Sequence, residues 1–341
     1  MKRIRTQDAV GQILCHDVTQ IIRGGAKGPL FRKGHVILEG DIPALLNLGK
    51  DHVYIWEESA DLLHENEAAE ILLALCQGEN MSATAPKEGK IELIADADGL
   101  FMADIERLRA VNSLGEMMIA SRPSGFPVKT GDKLCGMRVI PLAIEKEKMR
   151  QARRAAGCGP LLRLLPMKQK SYGLVVTGNE VFHGRIQDTF TQVIREKLDA
   201  YGCEMISLAI VDDDPAKITG SIESMLASGA EMVLCTGGMS VDPDDKTPLA
   251  IKNATDTVLR YGAPVLPGAM FMLAYTADGR PVLGIPGCVM YARRTVFDLV
   301  LPRLLADAPI TAEWLAGMGN GGLCLECRDC HFPNCGFGKG T

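Results

Sequence analysis

"LCTGGMSVDPDDKTP", Leu234 to Pro248, decides how the chain is read. An apolar run ends in Thr236, Gly237 and Gly238, and Ser240 follows before a cluster of aspartates and prolines. A short apolar run closed by glycine reads as a buried strand. Glycines lack Cβ, so backbone there can approach a ligand and present N–H groups to it. Thr247 followed by Pro248 reads as a helix cap with proline at the first helical position. A glycine-rich loop leading into a helix suits a phosphate. The same residues also suit a tight Asx-Pro turn at Asp242-Pro243.

The pattern repeats on both sides. "SYGLVVTG" is a β-branched run ending in glycine, and "QDTFTQVIREKLDAYG" has helical spacing with Asp188 or Thr189 as cap. "CEMISLAIVDDDP", "DPAKITGSIESMLASG", "RPVLGIPG" and "CVMYARRTVFDLVLPRLLA" continue it. This predicts an α/β fold, a mostly parallel sheet with helices on both faces. Ligands of such sheets bind beyond the carboxyl ends of the strands. Thr177, Gly178 and Glu180 stand at one such end, Asp212 to Asp214 at a second, and Pro286 and Gly287 at a third. Each also has a plain structural reading as a turn or cap. Carboxylates without basic partners are costly there unless solvated or holding a cation, and Mg²⁺ between aspartates and ligand phosphates is the natural candidate.

Upstream, "DIPALLNLG" and "HENEAAEILLALCQG" read as helices and "HVYIW" as a strand. "KIELIADADGLF" alternates and then turns at Asp98-Gly99, a hairpin signal, with a further turn at Thr130-Gly131-Asp132. "EKEKMRQARRAAG" reads as a charged, solvated helical connector. The expected divisions are a mixed α/β region over 1–85, a β-rich segment over 86–145, the connector over 146–169, the sheet domain over 170–308 and a Cys-rich tail over 309–341.

The 341 residues suffice for two or three domains, and 47% apolar with 23% charged residues is ordinary for a soluble protein. A net charge of -5 argues against a general nucleic-acid binder. The N-terminus lacks an apolar signal-peptide core, and no 18-residue apolar run offers a membrane span. A cytoplasmic, reducing setting is therefore expected for the cysteines. Cys15, Cys76, Cys135, Cys158, Cys203, Cys235 and Cys288 read mostly as small buried hydrophobes.

"TGNEV", "GRIQDTFTQVIREKL", "VDDDP", "TGGMSVDPDD", "LPGAM" and "LGIPGCV", in that order from about Lys170 to Ala308, resemble the molybdopterin-binding domain. That domain occurs in molybdopterin molybdenumtransferase, in molybdopterin adenylyltransferase and in the competence-damage-inducible amidase family. "AVGQILCHDVT", "FRKGHVI" and "DIPALLNLG" more loosely resemble the N-terminal region of the transferase. The resemblance implies Mg²⁺-assisted conversion of adenylylated molybdopterin and molybdate into molybdenum cofactor and AMP. It implies Thr236, Gly237, Gly238 and Ser240 as a phosphate cradle, with Thr177, Gly178, Asp188, Pro267 and Gly268 alongside. Pro286 and Gly287 would line the pterin side. Asp245 would hold Mg²⁺ or assist pyrophosphate cleavage, with Glu180 and Asp242 as further acids. The family often dimerises, so a homodimer is implied as well.

Several positions depart from the pattern. Asp188-Thr189-Phe190 stands for D-S-N, Ala269-Met270 for the K-P of P-G-K-P, Asp242 for the glycine of S-x-G, and Cys288-Val289 for N-P. Losing a lysine and gaining an acid at an oxyanion site weighs against molybdate insertion, and Arg293, Arg294 or Lys246 could compensate. A non-catalytic carrier of molybdopterin or finished cofactor, delivering to a client molybdoenzyme, is the alternative, and a nucleotide hydrolase of the amidase type a third. The resemblance also leads one to expect the transferase's C-terminal β-domain to be missing, with only the short tail "GGLCLECRDCHFPNCGFGKG" after the sheet domain. Cys324, Cys327, Cys330 and Cys335, spaced by two, two and four residues, predict one zinc ion or an iron–sulfur cluster, with His331 as a substitute ligand. Of the other histidines, His16, His35, His52 and His64 read as local hydrogen-bonding groups, and His183 lies next to a ligand loop.

Overall fold

Strand β1 (Ser171–Thr177) is apolar on both faces, and both faces are covered. It lies in a six-stranded sheet with β2 (Glu204–Val211), β3 (Met232–Thr236), β4 (Thr257–Tyr261), β5 (Met272–Tyr275) and β6 (Pro281–Ile285), in the order β2-β1-β3-β6-β5-β4. Strands β2, β1, β3 and β6 are parallel, while β5 and β4 add antiparallel at the other edge. The mostly parallel sheet expected from the sequence is therefore present. The computed structural model describes residues 2–21, 27–55, 61–243 and 245–340. Trp56, assigned above to a strand, and Asp244 of the opening stretch lie outside them.

Alternation sends Tyr172, Leu174, Val176 and Leu234 to one core, with Ile194 and Leu198 of α1 (Phe190–Asp199). Val175, Val233 and Cys235 pack on the other face against Ile218 and Ile222 of α2 (Pro215–Ala227) and Ala250 and Ile251 of α3 (Thr247–Asn253). Two-sided burial explains why β3 reads as an unbroken apolar run. The edge strand β2 alternates instead, leaving Ile206, Leu208 and Ile210 exposed. Helix α4 (Val296–Leu305) is buried along its whole length. Its start is fixed by a capping box between Thr295 and Asp298. Asp298 also accepts from Lys197 Nζ at 2.8 Å and Arg294 Nη1 at 2.9 Å. The buried carboxylate is thus paired rather than left bare, which burial would make costly.

The chain divides into two compact units, the first made of residues 1–96, 103–122 and 130–163 and the second of 97–102, 123–129 and 164–341. The first unit contains the antiparallel sheet Met81–Ala83, Lys90–Ala95, Lys133–Val139 and Met117–Ser121, with helix Glu65–Cys76 packed on it. His64 begins that helix: its Nδ1 accepts from Asn66 N at 3.2 Å, while Nε2 lies 2.9 Å from Cys15 O. The hairpin expected at Asp98-Gly99 does not form. Lys90–Ala95 pairs with Lys133–Val139, whereas Gly99–Ala103 pairs with Phe126–Val128. The chain bends over residues 96–98, and Gly99 opens a strand that joins another sheet, a non-local choice. The charged stretch is helix Lys146–Ala156, but it buries Met149, Ala152 and Ala156 and belongs to the first unit, so it is not the solvated connector expected.

Thr247 occupies the first helical position of α3, not the cap, and its buried hydroxyl pairs with Thr177 Oγ1 at 3.1 Å. The side chain was spent on joining two loops rather than on capping. Of the seven scattered cysteines, Cys15, Cys76, Cys135, Cys203 and Cys235 are buried, Cys288 is half-buried and Cys158 exposed.

Two glycines give opposite stability predictions. Gly237 has φ +85°, and a Cβ there would overlap the Thr177 carbonyl oxygen. Gly237→Ala should lower unfolding free energy by about 1–3 kcal/mol in urea melts. Gly220 lies mid-helix in α2 with open space where its Cβ would go. Gly220→Ala should raise it by about 0.5–1 kcal/mol.

Candidate functional site

Register sets the site. Val176 lies opposite Thr236, Thr177 opposite Val211, and Thr236 opposite Ile285. The carboxyl ends of β2, β1, β3 and β6 therefore finish at one level, and the loops after them share one rim. A cavity of about 610 Å³ opens there, in the second unit. Its described lining comes from Gly237, Gly238, Met239, Ser240, Asp242 and Asp245 after β3, and from Pro286, Gly287, Cys288 and Tyr291 after β6. The segment Leu266–Met270 supplies another wall, and Leu323, Cys324 and Glu326 of the tail complete it.

The glycines admit the chain to this place. Gly237 runs so close to Thr177 that no Cβ fits, and Gly238 (φ +53°) packs on the Thr177 and Thr247 hydroxyls. Behind them Thr236 Oγ1 is fully buried and has no hydrogen-bond partner among the described residues. Gly287 differs, because a Cβ there would meet nothing within 4 Å. Asp245 Oδ2 accepts from Asp242 N at 3.3 Å, which turns the loop back on itself. The Tyr261 hydroxyl donates to Met239 O at 3.0 Å and steadies the same loop from β4. Burial, and then the Asp245 carboxylate, push the Tyr261 phenol up. The Cys288 thiol is also pushed up, chiefly by desolvation.

Thus Gly237, Gly238, Ser240, Asp242, Asp245, Pro267, Gly268, Pro286 and Gly287 are brought together around one cavity. Thr177 and Thr236 sit buried behind it. Gly178, Glu180 and Asp188 are not among its lining residues. Gly178 precedes the short helix Asn179–Phe182, on which Glu180 is exposed. Asp188 caps α1, its Oδ1 accepting from Phe190 N at 2.8 Å and Thr191 N at 3.2 Å. The three aspartates after β2 have local partners as well. Asp212 pairs with Lys217 at 2.5 Å, Asp213 accepts from Asn179 N at 3.0 Å, and Asp214 caps α2. The Lys217 hydrogen bond holds the Asp212 carboxyl below its ordinary range. His183 is exposed, edge-on to Phe182. Of the four strand ends expected to converge, those of β3 and β6 do.

No lysine or arginine belongs to the described lining. Arg293 Nη1 donates to Arg328 O at 2.9 Å, and Arg294 pairs with Asp298 and lies 4.9 Å over the Phe332 ring. Ala269 and Met270 line the wall where the resemblance had placed a lysine and a proline. Asp242 and Asp245 place two carboxylates on the lining, the donor type that magnesium takes together with phosphate oxygens and water.

Aromatic side chains anchor the tail. Phe332 lies between Phe126 and Phe337, with ring centroids at 6.1 Å and 6.2 Å, and Phe337 is buried. Cys324 and Cys335 are half-buried against the core, while Cys327 and Cys330 face solvent. Among the described residues, no three His, Cys, Asp or Glu side chains group so as to hold a metal ion. The convergence of four thiols expected from their spacing is therefore not found. The backbone N–H of Phe332, followed by Arg294, holds the Cys330 thiol below its usual range.

Sequence reasoning missed Met239, Leu266, Tyr291, Leu323, Cys324 and Glu326 as cavity residues, and Tyr261 as a support. Leu266 and Leu323 were reachable in principle, as apolar residues flanking glycines. No local signal marks the tyrosines.

Residues 173–306 match a family model described as "Probable molybdopterin binding domain", and residues 3–57 match a "Domain of unknown function (DUF8806)". A molybdopterin molybdenumtransferase from Synechococcus elongatus is 26% identical over 196 residues, 54% of this chain and 46% of that protein. A CinA-like protein from a Mycobacterium species is 36% identical over 75 residues, 22% of this chain and 18% of its own length. The chain thus spans less than half the length of these relatives. Among solved structures, the molybdopterin biosynthesis enzyme MoaB of Thermus thermophilus aligns with a TM-score of 0.35 at 23% identity. That alignment covers 41% of this chain and 99% of that one. Among the described residues, no helix is long and apolar enough to cross a membrane. Residues 173–306 of this chain therefore match the molybdopterin-binding domain family, over the same stretch in which the sequence motifs resemble it.

Proposed function

We propose that the cavity binds molybdopterin, in its free or adenylylated form, and that the chain carries out Mg²⁺-dependent insertion of molybdate with release of AMP. The observation that carries this reading is the single cavity of about 610 Å³ joining the glycine pair, the Pro267–Met270 segment and the Pro286–Tyr291 turn. Gly237 and Gly238 would bring bare backbone to the phosphate, with Ser240 beside them. Pro286, Gly287 and Tyr291 would flank the pterin. Asp242 and Asp245 would hold magnesium, which would supply charge neutralisation at the phosphate oxygens. Asp245 would keep its orientation through the Asp242 N–H, and Tyr261 would fix the loop that carries both.

A second reading, a carrier that binds the pterin and passes it to a client molybdoenzyme, is favoured by one specific feature. Ala269 stands in the wall, and no described lining residue is a cation to meet an oxyanion. The two readings part on one assay: AMP release from adenylylated molybdopterin with Mg²⁺ and molybdate. Pterin retention without AMP selects the carrier, and failure to retain pterin at all removes both.

Two variants sharpen the assay. Asp245→Asn should cut AMP release at saturating pterin roughly a hundredfold, while pterin affinity in Mg²⁺, read by fluorescence titration, should fall by only about threefold because Asp242 remains. Gly287→Leu should leave thermal stability unchanged to within about 0.5 kcal/mol, because its Cβ meets open space. Its pterin affinity should fall roughly tenfold, because the side chain enters the cavity.

A further inference from the structure

The tail cysteines fall into two pairs: Cys324 and Cys335 are half-buried against the core, while Cys327 and Cys330 are exposed. Two residues separate the exposed pair, and the chain bends at both of them, Arg328 and Asp329. A four-residue turn brings its first and last Cα within about 7 Å, which is the reach of a disulfide. The turn is held before, within and after the pair. Before it, Leu266 N donates to Gly322 O and Cys324 N to Leu266 O, both at 2.8 Å. Within it, Arg293 Nη1 donates to Arg328 O at 2.9 Å. After it, the Arg294 guanidinium lies 4.9 Å over the Phe332 ring, which packs on Phe126 and Phe337. Two adjacent arginines thus reach residues 328 and 332, on either side of Cys330. Neighbouring cations favour a thiolate over a thiol, and an exposed thiolate is the reactive form of cysteine. The Phe332 N–H, and then Arg294, draw the Cys330 thiol the same way.

We propose that Cys327 and Cys330 form a dithiol–disulfide exchange site, with Cys330 as the attacking thiol, Cys327 as the resolving thiol and small-molecule disulfides such as oxidised glutathione as substrates. In the first step the Cys330 thiolate attacks one sulfur of the disulfide. Its S–S bond breaks, a mixed disulfide forms on Cys330, and one glutathione thiolate leaves. In the second step the Cys327 thiolate attacks the Cys330 sulfur of that mixed disulfide. The Cys327–Cys330 bond forms and the second glutathione leaves as thiolate. The protons of the two protein thiols end on the two departing thiolates. The protein dithiol is oxidised and one disulfide is reduced, so no further oxidant is needed. The held turn favours the second step, because the resolving thiol is already beside the bond it must attack. The site is independent of what the cavity binds, although Glu326 of the cavity lining immediately precedes Cys327.

The test uses the full chain, reduced, treated with EDTA and incubated anaerobically with oxidised glutathione near neutral pH. Alkylation followed by peptide mapping reads the outcome. Wild type should accumulate the Cys327–Cys330 disulfide. Cys327→Ser should stop at the mixed disulfide on Cys330. Cys330→Ser should leave Cys327 reacting roughly threefold more slowly than Cys330 does in Cys327→Ser, since the gain in thiolate is partly offset by lower nucleophilicity. Cys158, an exposed thiol of the first unit, supplies the same comparison within every sample, and Cys330 should outrun it by a similar factor. Both serine variants should melt with wild type, because the substituted side chains face solvent. Disulfides that join other cysteines instead, a Cys327→Ser protein that gathers no mixed disulfide at Cys330, or a Cys330 no faster than Cys158 would each overturn the proposal. So would zinc or iron retained by the tail thiols in EDTA, which would leave them bound rather than reactive.

Discussion

At the end of β3 the chain passes so close to Thr177 that residue 237 has no room for a side chain. This one approach organises the site. It draws the loop after β3 against the end of β1, and the Thr177–Thr247 hydroxyl pair then ties in the start of α3. With the loop so held, Asp242 and Asp245 project over the rim, and Tyr261 braces them from the far edge. The approach is feasible only because β1, β3 and β6 are buried on both faces and locked in register, so their ends cannot slide past each other.

Electrostatics then separates structural acids from site acids. Asp188, Asp212, Asp213, Asp214 and Asp298 all satisfy helix starts, backbone N–H groups or a basic side chain. Asp242, Asp245 and Glu326 are the acids that line the cavity. The other described lining residues are uncharged, so acids are the only charged groups among those described there.

In the tail, the placement of the cysteines depends on more than their spacing. Four cysteines within twelve positions describe a chain able to wrap one ion. Whether it does so depends on where its other residues prefer to be. Phe332 and Phe337 have more to gain from aromatic and core contacts, and Leu323 from pairing beside Leu266. Once these are placed, Cys324 and Cys335 turn toward the core while Cys327 and Cys330 remain outside.

The sequence alone determined the strand–glycine–helix rhythm, the mostly parallel sheet, the helix starts at Asp188 and Asp214, and the glycine-bearing loops after the strands. These are local matters, set by the alternation of apolar side chains, by capping groups and by glycine. Tertiary structure alone decided which strand followed which turn, as at Asp98-Gly99, and which strand ends met around one space. It also decided that Thr247 bonds Thr177 instead of capping, and that a segment some eighty residues beyond the glycine pair closes the cavity. Such contacts join residues far apart in the chain. Their partners are chosen by packing and register, and no single stretch of sequence records that choice.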